Sequence, residues 1–156
     1  LYPRLTLEEN LAAFALLWGL PARTARERAD ALLDRLDLGV HRAKSFQDLS
    51  RGMKQKANVV VGLLVEPRLL LLDEPTSGLD YPSVVALRHL LDEYVEGGGT
   101  LVLSSHAPDV LHAYVRRIHL LEDGHLTEGE DADAFFAAHR FERFFEAREG
   151  DGVAGG

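Results

Sequence analysis

The run LLLLDEPTSGLD, Leu69 to Asp80, constrains the chain more than any other stretch. Four consecutive leucines leave a strand with no polar side, which suits the middle of a parallel sheet better than an antiparallel edge. Glu66, Pro67 and Arg68 separate these leucines from the apolar residues before them, so the region cannot be one uninterrupted membrane-spanning helix. Two adjacent carboxylates follow, Asp73 and Glu74, and then Pro75 and a Ser77-Gly78-Leu79-Asp80 turn. In an open parallel α/β sheet, ligands bind outside the carboxyl ends of the strands, which is where these acids stand. A hard oxygen ligand there suits magnesium held through water, and its neighbour can orient or deprotonate an attacking water. An isolated Asp-Glu-Pro would more simply end a strand and turn the chain, so the weight falls on the motifs around it.

Those surroundings alternate helix and strand. Thr6 with Glu9 three residues on is a capping box, and Leu7, Leu11, Phe14 and Trp18 continue at helical spacing, predicting a helix over about 6–18. A second, amphipathic helix follows Pro21, with Gly39 as its stop. Ser50 is placed to N-cap a third, running to about Val65. After the leucine strand, a helix over about Pro82–Glu96 and the breaker at Gly97–Gly99 lead to a second strand, TLVLSS. A short helix at APDVLHAY, a hairpin turning at Asp123-Gly124 and a closing helix over about 132–148 complete the pattern.

Composition bounds the function. With 156 residues, 46% of them hydrophobic, the chain suits one domain with a real core. A net charge of −8 argues against direct nucleic-acid binding. The absence of cysteine rules out a disulfide framework or thiolate metal site and fits a reducing compartment, with the cytoplasm the natural choice. His112, His119 and His125 form no metal-ligand spacing, and the triple glycine lacks the Lys-Ser/Thr that a phosphate loop needs. Residues 1–20 do not form a signal peptide. The only methionine is Met53, and Leu1 already stands in the approach to a helix, so the chain reads as part of a longer protein.

Four motifs now stand in order: LSRGMKQ at 49–55, LLLLDEP at 69–75, SGLD at 77–80 and SSH at 104–106. Together they resemble the ATP-binding cassette of ABC transporters: its signature, its Walker B strand with catalytic glutamate, its D-loop and its switch histidine. LYPRLTLEENL resembles the segment after the family's Q-loop, so the likeness covers nearly the whole chain. It implies an α/β, P-loop NTPase-like parallel-sheet core with part of a helical subdomain and the N-terminal portion missing. Residues 1–148 would be a partial cassette: a helical subdomain segment at 1–48, the signature to post-switch core at 49–130 and a C-terminal helix at 131–148. Residues 149–156 would be a flexible tail.

By the same resemblance, Glu74 is the general base and Asp73 the acid that holds Mg2+, through water. Ser50 and Gly52 meet the ATP γ-phosphate from across a head-to-tail dimer, Asp80 crosses that interface, and His106 senses the γ-phosphate. Ser50 also suits plain helix capping, and both roles can coexist. Arg51 and Met53 depart from the family's commonest signature, LSGGQ, in a way familiar among its exporters. No GxxxxGK[ST] occurs, so the loop that grips ATP phosphates in the family is missing from this sequence.

The resulting expectation is an ATP hydrolase subunit on the cytoplasmic face of the cell membrane, working with a second cassette and a membrane permease and coupling ATP to solute export. The 1–156 chain alone is expected to be inactive. A noncatalytic regulatory fragment and a soluble ABC-type ATPase are the competing readings. Neither the long coiled-coil insertion of the repair type nor the charged linker of the translation type appears in this sequence.

Overall fold

Four helices begin where a side-chain oxygen takes a backbone N–H, and these starts set the frame. The computed structural model describes residues 1–138 and 140. Thr6 caps α1 (Leu7–Leu17) in a complete capping box, its hydroxyl accepting from Glu9 N while the Glu9 carboxylate accepts from Thr6 N. Ser50 caps α3 (Arg51–Leu63), Asp80 caps α4 (Tyr81–Glu96) and Asp131 caps α6 (Ala132–Ala137). The backbone divides into two compact units, one over Leu1–Ser104 and one from Ser105 onward.

In the first unit α1 packs against α2 (Ala22–Arg35), and both meet α3. Gly39 does not terminate α2, contrary to expectation: the helix is capped at Leu36, and Asp37 takes the left-handed conformation at φ 54. The physical cause lies in Leu36 and Leu38, which are both buried. Residues two apart on a helix point about 200° from each other, so burying both on one side requires leaving the helix before Leu38. Gly39 serves a close approach instead, since a Cβ there would lie 2.8 Å from Asp34 Oδ1. The chain then returns to its start: Leu7 N donates to Lys44 O at 3.0 Å, Phe46 N donates to Leu5 O at 2.9 Å, and Thr6 bridges Ser45. Asn10, fully buried, knits the same place together by donating to the carbonyls of Tyr2, Leu5 and Thr6 and accepting from Tyr2 N.

The leucine run forms β1 (Leu69–Asp73), paired in parallel with β2 (Thr100–Ser104), from Leu69 opposite Thr100 to Asp73 opposite Ser104. Alternation turns Leu70 and Leu72, with Leu101 and Leu103, to one side. Leu70 is 5% exposed there and meets α3 so closely that a Cβ on Gly62 would lie 3.0 Å from its Cδ1. On the opposite side Leu69, Leu71 and Val102 are 51%, 67% and 53% exposed. The parallel pairing is as expected, whereas among the described residues only one of the two faces is covered. The triple glycine is a tight connection rather than a loose one: Gly98 has φ 93, and a Cβ on Gly99 would enter the Tyr94 ring. Tyr94 Oη in turn donates to Pro67 O at 2.9 Å and stands 3.3 Å from Thr100 O, tying α4 to both strand starts.

The second unit holds α5 (Pro108–Tyr114), β3 (Arg117–Ile118), β4 (Leu121–Glu122), β5 (His125–Leu126), β6 (Glu130–Asp131) and α6. The expected hairpin is present with its Asp123-Gly124 turn, both residues at positive φ as a type I′ turn requires. Its ladder is split: β4 pairs with β5 and β3 with β6, while Leu120 N donates to the Thr127 hydroxyl between them. Ile118, Ala132 and Phe135 form its core. The closing helix expected over 132–148 is seen as Ala132–Ala137, capped at Ala138; residues 139 and 141–148 of that expectation and the 149–156 tail lie outside the described residues.

Candidate functional site

Because β1 and β2 run in register, Asp73 and Ser104 end side by side at the carboxyl edge of the sheet. The Ser104 hydroxyl donates to Asp73 Oδ1 and accepts from Glu74 N at 3.2 Å. Glu74 N also donates to the Ser104 carbonyl at 3.1 Å. One serine therefore fixes both acids. Glu74 itself stands at φ 44, a left-handed conformation that costs an ordinary L-residue about 1–2 kcal/mol. Its carbonyl accepts from Ser77 N at 3.1 Å and from Gln55 Nε2 at 3.1 Å, so its main chain is held on both sides. Buried Pro75 and Gly78, at φ 75, carry the chain round to Asp80.

The N-terminal part of α3 lies against this turn. Ser50 Oγ accepts from Met53 N at 3.2 Å, the capping job foreseen for it. Gly52 has its own steric reason: a Cβ there would lie 2.8 Å from Gly78 O. Arg51, though exposed, reaches over the turn, donating from Nη2 to Ser77 Oγ at 3.0 Å with its stem against Gly78. One turn further along, Lys56 is 8% exposed and donates to Ser83 Oγ at 3.3 Å. Asp80 accepts from Ser83 N at 3.1 Å as it caps α4. The Ser83 hydroxyl first, then the Ser83 backbone N–H, hold the Asp80 carboxyl below the usual carboxylate range, with a smaller contribution from the Lys56 charge.

Five of the six foreseen site residues, Ser50, Gly52, Asp73, Glu74 and Asp80, thus belong to one assembly of α3 and the β1–α4 loop. His106 is an exposed residue of the second unit, just before Ala107 N donates to the Ser105 hydroxyl at 3.1 Å. Ser104, Gln55 and Lys56 were missed. Ser104 lay within the SSH motif, but its bonds to Asp73 and Glu74 span about thirty residues and leave no local signature.

Among the described residues no three His, Cys, Asp or Glu side chains converge as a metal cage. A single exposed aspartate at a strand end fits magnesium that keeps its waters and takes other ligands from substrate phosphates. Among the described residues no helix is long and apolar enough to cross a membrane.

Known proteins resemble the chain in sequence and in fold. A family profile described as ABC transporter matches residues 1–77. The chain is similar to the arginine transport ATP-binding protein ArtP of Escherichia coli K12, with 34% identity over 136 residues, covering 86% of this chain and 56% of that one. It is similar also to the bacitracin transport ATP-binding protein BcrA of Enterococcus faecalis, 32% identical over 150 residues, covering 96% of this chain and 48% of the relative. A solved structure of an ATP binding subunit of an ABC transporter superimposes with a TM-score of 0.81 at 30% identity, covering 90% of this chain and 59% of the other. The chain spans about half the length of these two curated relatives.

Proposed function

Since the chain belongs to the ABC transporter family of ATP-binding domains, we propose that it works as the signature and Walker B portion of a transporter ATPase that couples ATP hydrolysis to solute export. The observation that carries this reading is the strand-end pair Asp73 and Glu74, locked by Ser104 and backed by α3. ABC ATPase domains bind ATP, generally with Mg2+, and the metal supplies charge neutralisation of the phosphates. Asp73, oriented by the Ser104 hydroxyl, would hold Mg2+ through water. Glu74 would take the proton of the attacking water. Ser50 and Gly52 would present the start of α3, with its free amides and dipole, to the γ-phosphate on a second cassette. Asp80 would lie near that interface, and His106 would respond to the γ-phosphate. A membrane permease is the proposed partner, with the ATPase on the cytoplasmic face of the membrane. Export is proposed from the Arg51 and Met53 departures in the signature.

The test is Glu74→Gln in the full-length protein. It preserves size and hydrogen bonding but removes the base, so hydrolysis should fall by roughly 10²- to 10⁴-fold while ATP binding survives and a nucleotide-dependent dimer accumulates. Near-normal turnover would place water activation elsewhere. Gly52→Val is not a specific probe: the Cβ would strike Gly78 O, so lost activity would report on the D-loop turn as much as on a phosphate contact.

A further inference from the structure

We infer that Gln55 is a positioning residue for Glu74, acting through the glutamate's main chain; this rests on the reading of Glu74 as the base. Two independent features meet here. Glu74 is a non-glycine residue in the left-handed region, at φ 44, a conformation that persists only where its surroundings over-determine it. Those surroundings come from both sides: β2 takes its N–H through the carbonyl and hydroxyl of Ser104, and α3 reaches its C=O through Gln55 Nε2 at 3.1 Å. With both peptide groups held, the direction of the Glu74 Cα–Cβ bond is determined, and so is the place from which its carboxylate reaches water.

The residue type follows from the chemistry. The site needs a neutral N–H donor at the end of a two-methylene side chain, partly buried against a carbonyl. Glutamate at 55 would set an acceptor against an acceptor and a negative charge beside the base. Methionine would keep the length and lose the donor. Histidine would keep an N–H close to the position of Nε2. Because Gln55 stands on the same helix that Ser50 caps, α3 links the signature to the main chain of Glu74 within this chain.

The experiment uses the full-length ATPase and the variants Gln55→Met, Gln55→Glu and Gln55→His, each also made in the Glu74→Gln background, with circular dichroism melting as the folding control. Gln55→Met and Gln55→Glu should lower kcat by about 10- to 100-fold, the scale of a misplacement on the order of 1 Å, with ATP affinity unchanged. Gln55→His should recover most of the loss. In the Glu74→Gln background, Gln55→Met should cost nothing further, because it acts through the missing base. If Gln55→Met turns over normally while Glu74→Gln is dead, the positioning role is overturned and the base survives. If Glu74→Gln is itself active, the base reading fails first. An equal loss from Gln55→Met in both backgrounds, a fall in ATP affinity, or unfolding of Met, Glu and His variants alike would show that Gln55 serves general structure and overturn the inference.

Discussion

The two faces of the β1–β2 sheet are built from the same kind of residue and have opposite fates. Leu70 looks toward α3 and is 5% exposed; Leu71, its immediate neighbour, looks the other way and is 67% exposed. Yet the outward row ends in a hydrogen-bonded group, where Ser104 holds Asp73 and Glu74. Packing secures the inner face, and hydrogen bonds secure the working end of the outer one. The strand-end hydrogen bonds therefore hold Asp73 and Glu74 in place although the outer face is exposed in this chain.

The largest effect should come from the inner face. Leu70→Ala should destabilise the chain by about 2–5 kcal/mol, the range for a large-to-small change in a packed core, read as a lowered urea midpoint. A cost no greater than that of an exposed leucine would show that α3 does not seal this face. Ser104→Ala should cost about 1 kcal/mol in the same measurement, the usual net worth of a hydrogen bond, and should lower ATPase activity in the full-length protein far more than so small a loss of stability explains. Unaltered hydrolysis would mean that Asp73 and Glu74 are placed without it.

Acid should separate the faces further. Asp80 has its folded pKa lowered, so its stabilising cap is fully present above the ordinary aspartate value of about 3.9 and is lost as pH falls through the folded value. The difference in urea midpoint between the native chain and Asp80→Ala should be flat near neutral pH and vanish in that acidic window, whereas the Leu70→Ala difference carries no such dependence. The smallest stability change belongs to the outer face: Leu71→Lys should stay within about 0.5 kcal/mol. Its effect should instead appear in sedimentation velocity as reduced self-association, since it charges an apolar face beside open strand edges. Unchanged association would assign any oligomer to another surface.

Legibility in the sequence followed the range of each interaction. The starts of α1 and α3 were readable because Thr6, Glu9 and Ser50 act within one turn of themselves. The end of α2 was not, because what stops it is the joint burial of Leu36 and Leu38, a tertiary demand that outweighs the attraction of a nearby glycine. The double-sided leucine run correctly implied a parallel strand, while the bare outer face is a property of what packs on it. At the site, the acids were visible as residue types at a strand end. The side chains that set them, Ser104 and Gln55, were hidden by separations of nineteen to thirty-one residues. Arg51 was visible only as a departure from a pattern; its bond to Ser77 accounts for where it goes.

The closure between Thr6 and Ser45 gives the first helices the architecture of an inserted cassette in the engineering sense. The chain departs and comes back within a single hydrogen bond's reach, Phe46 N to Leu5 O at 2.9 Å, so the intervening residues add length without displacing the ends. Lengthening the connection between α1 and α2 at Gly19 and Leu20 should leave the junction in place, because loop-closure entropy rises by only about 0.6 kcal/mol for each doubling of such a loop. A graft spliced at that connection would therefore inherit fixed anchor points at Leu5 and Phe46, well before the strands that carry Asp73 and Ser104.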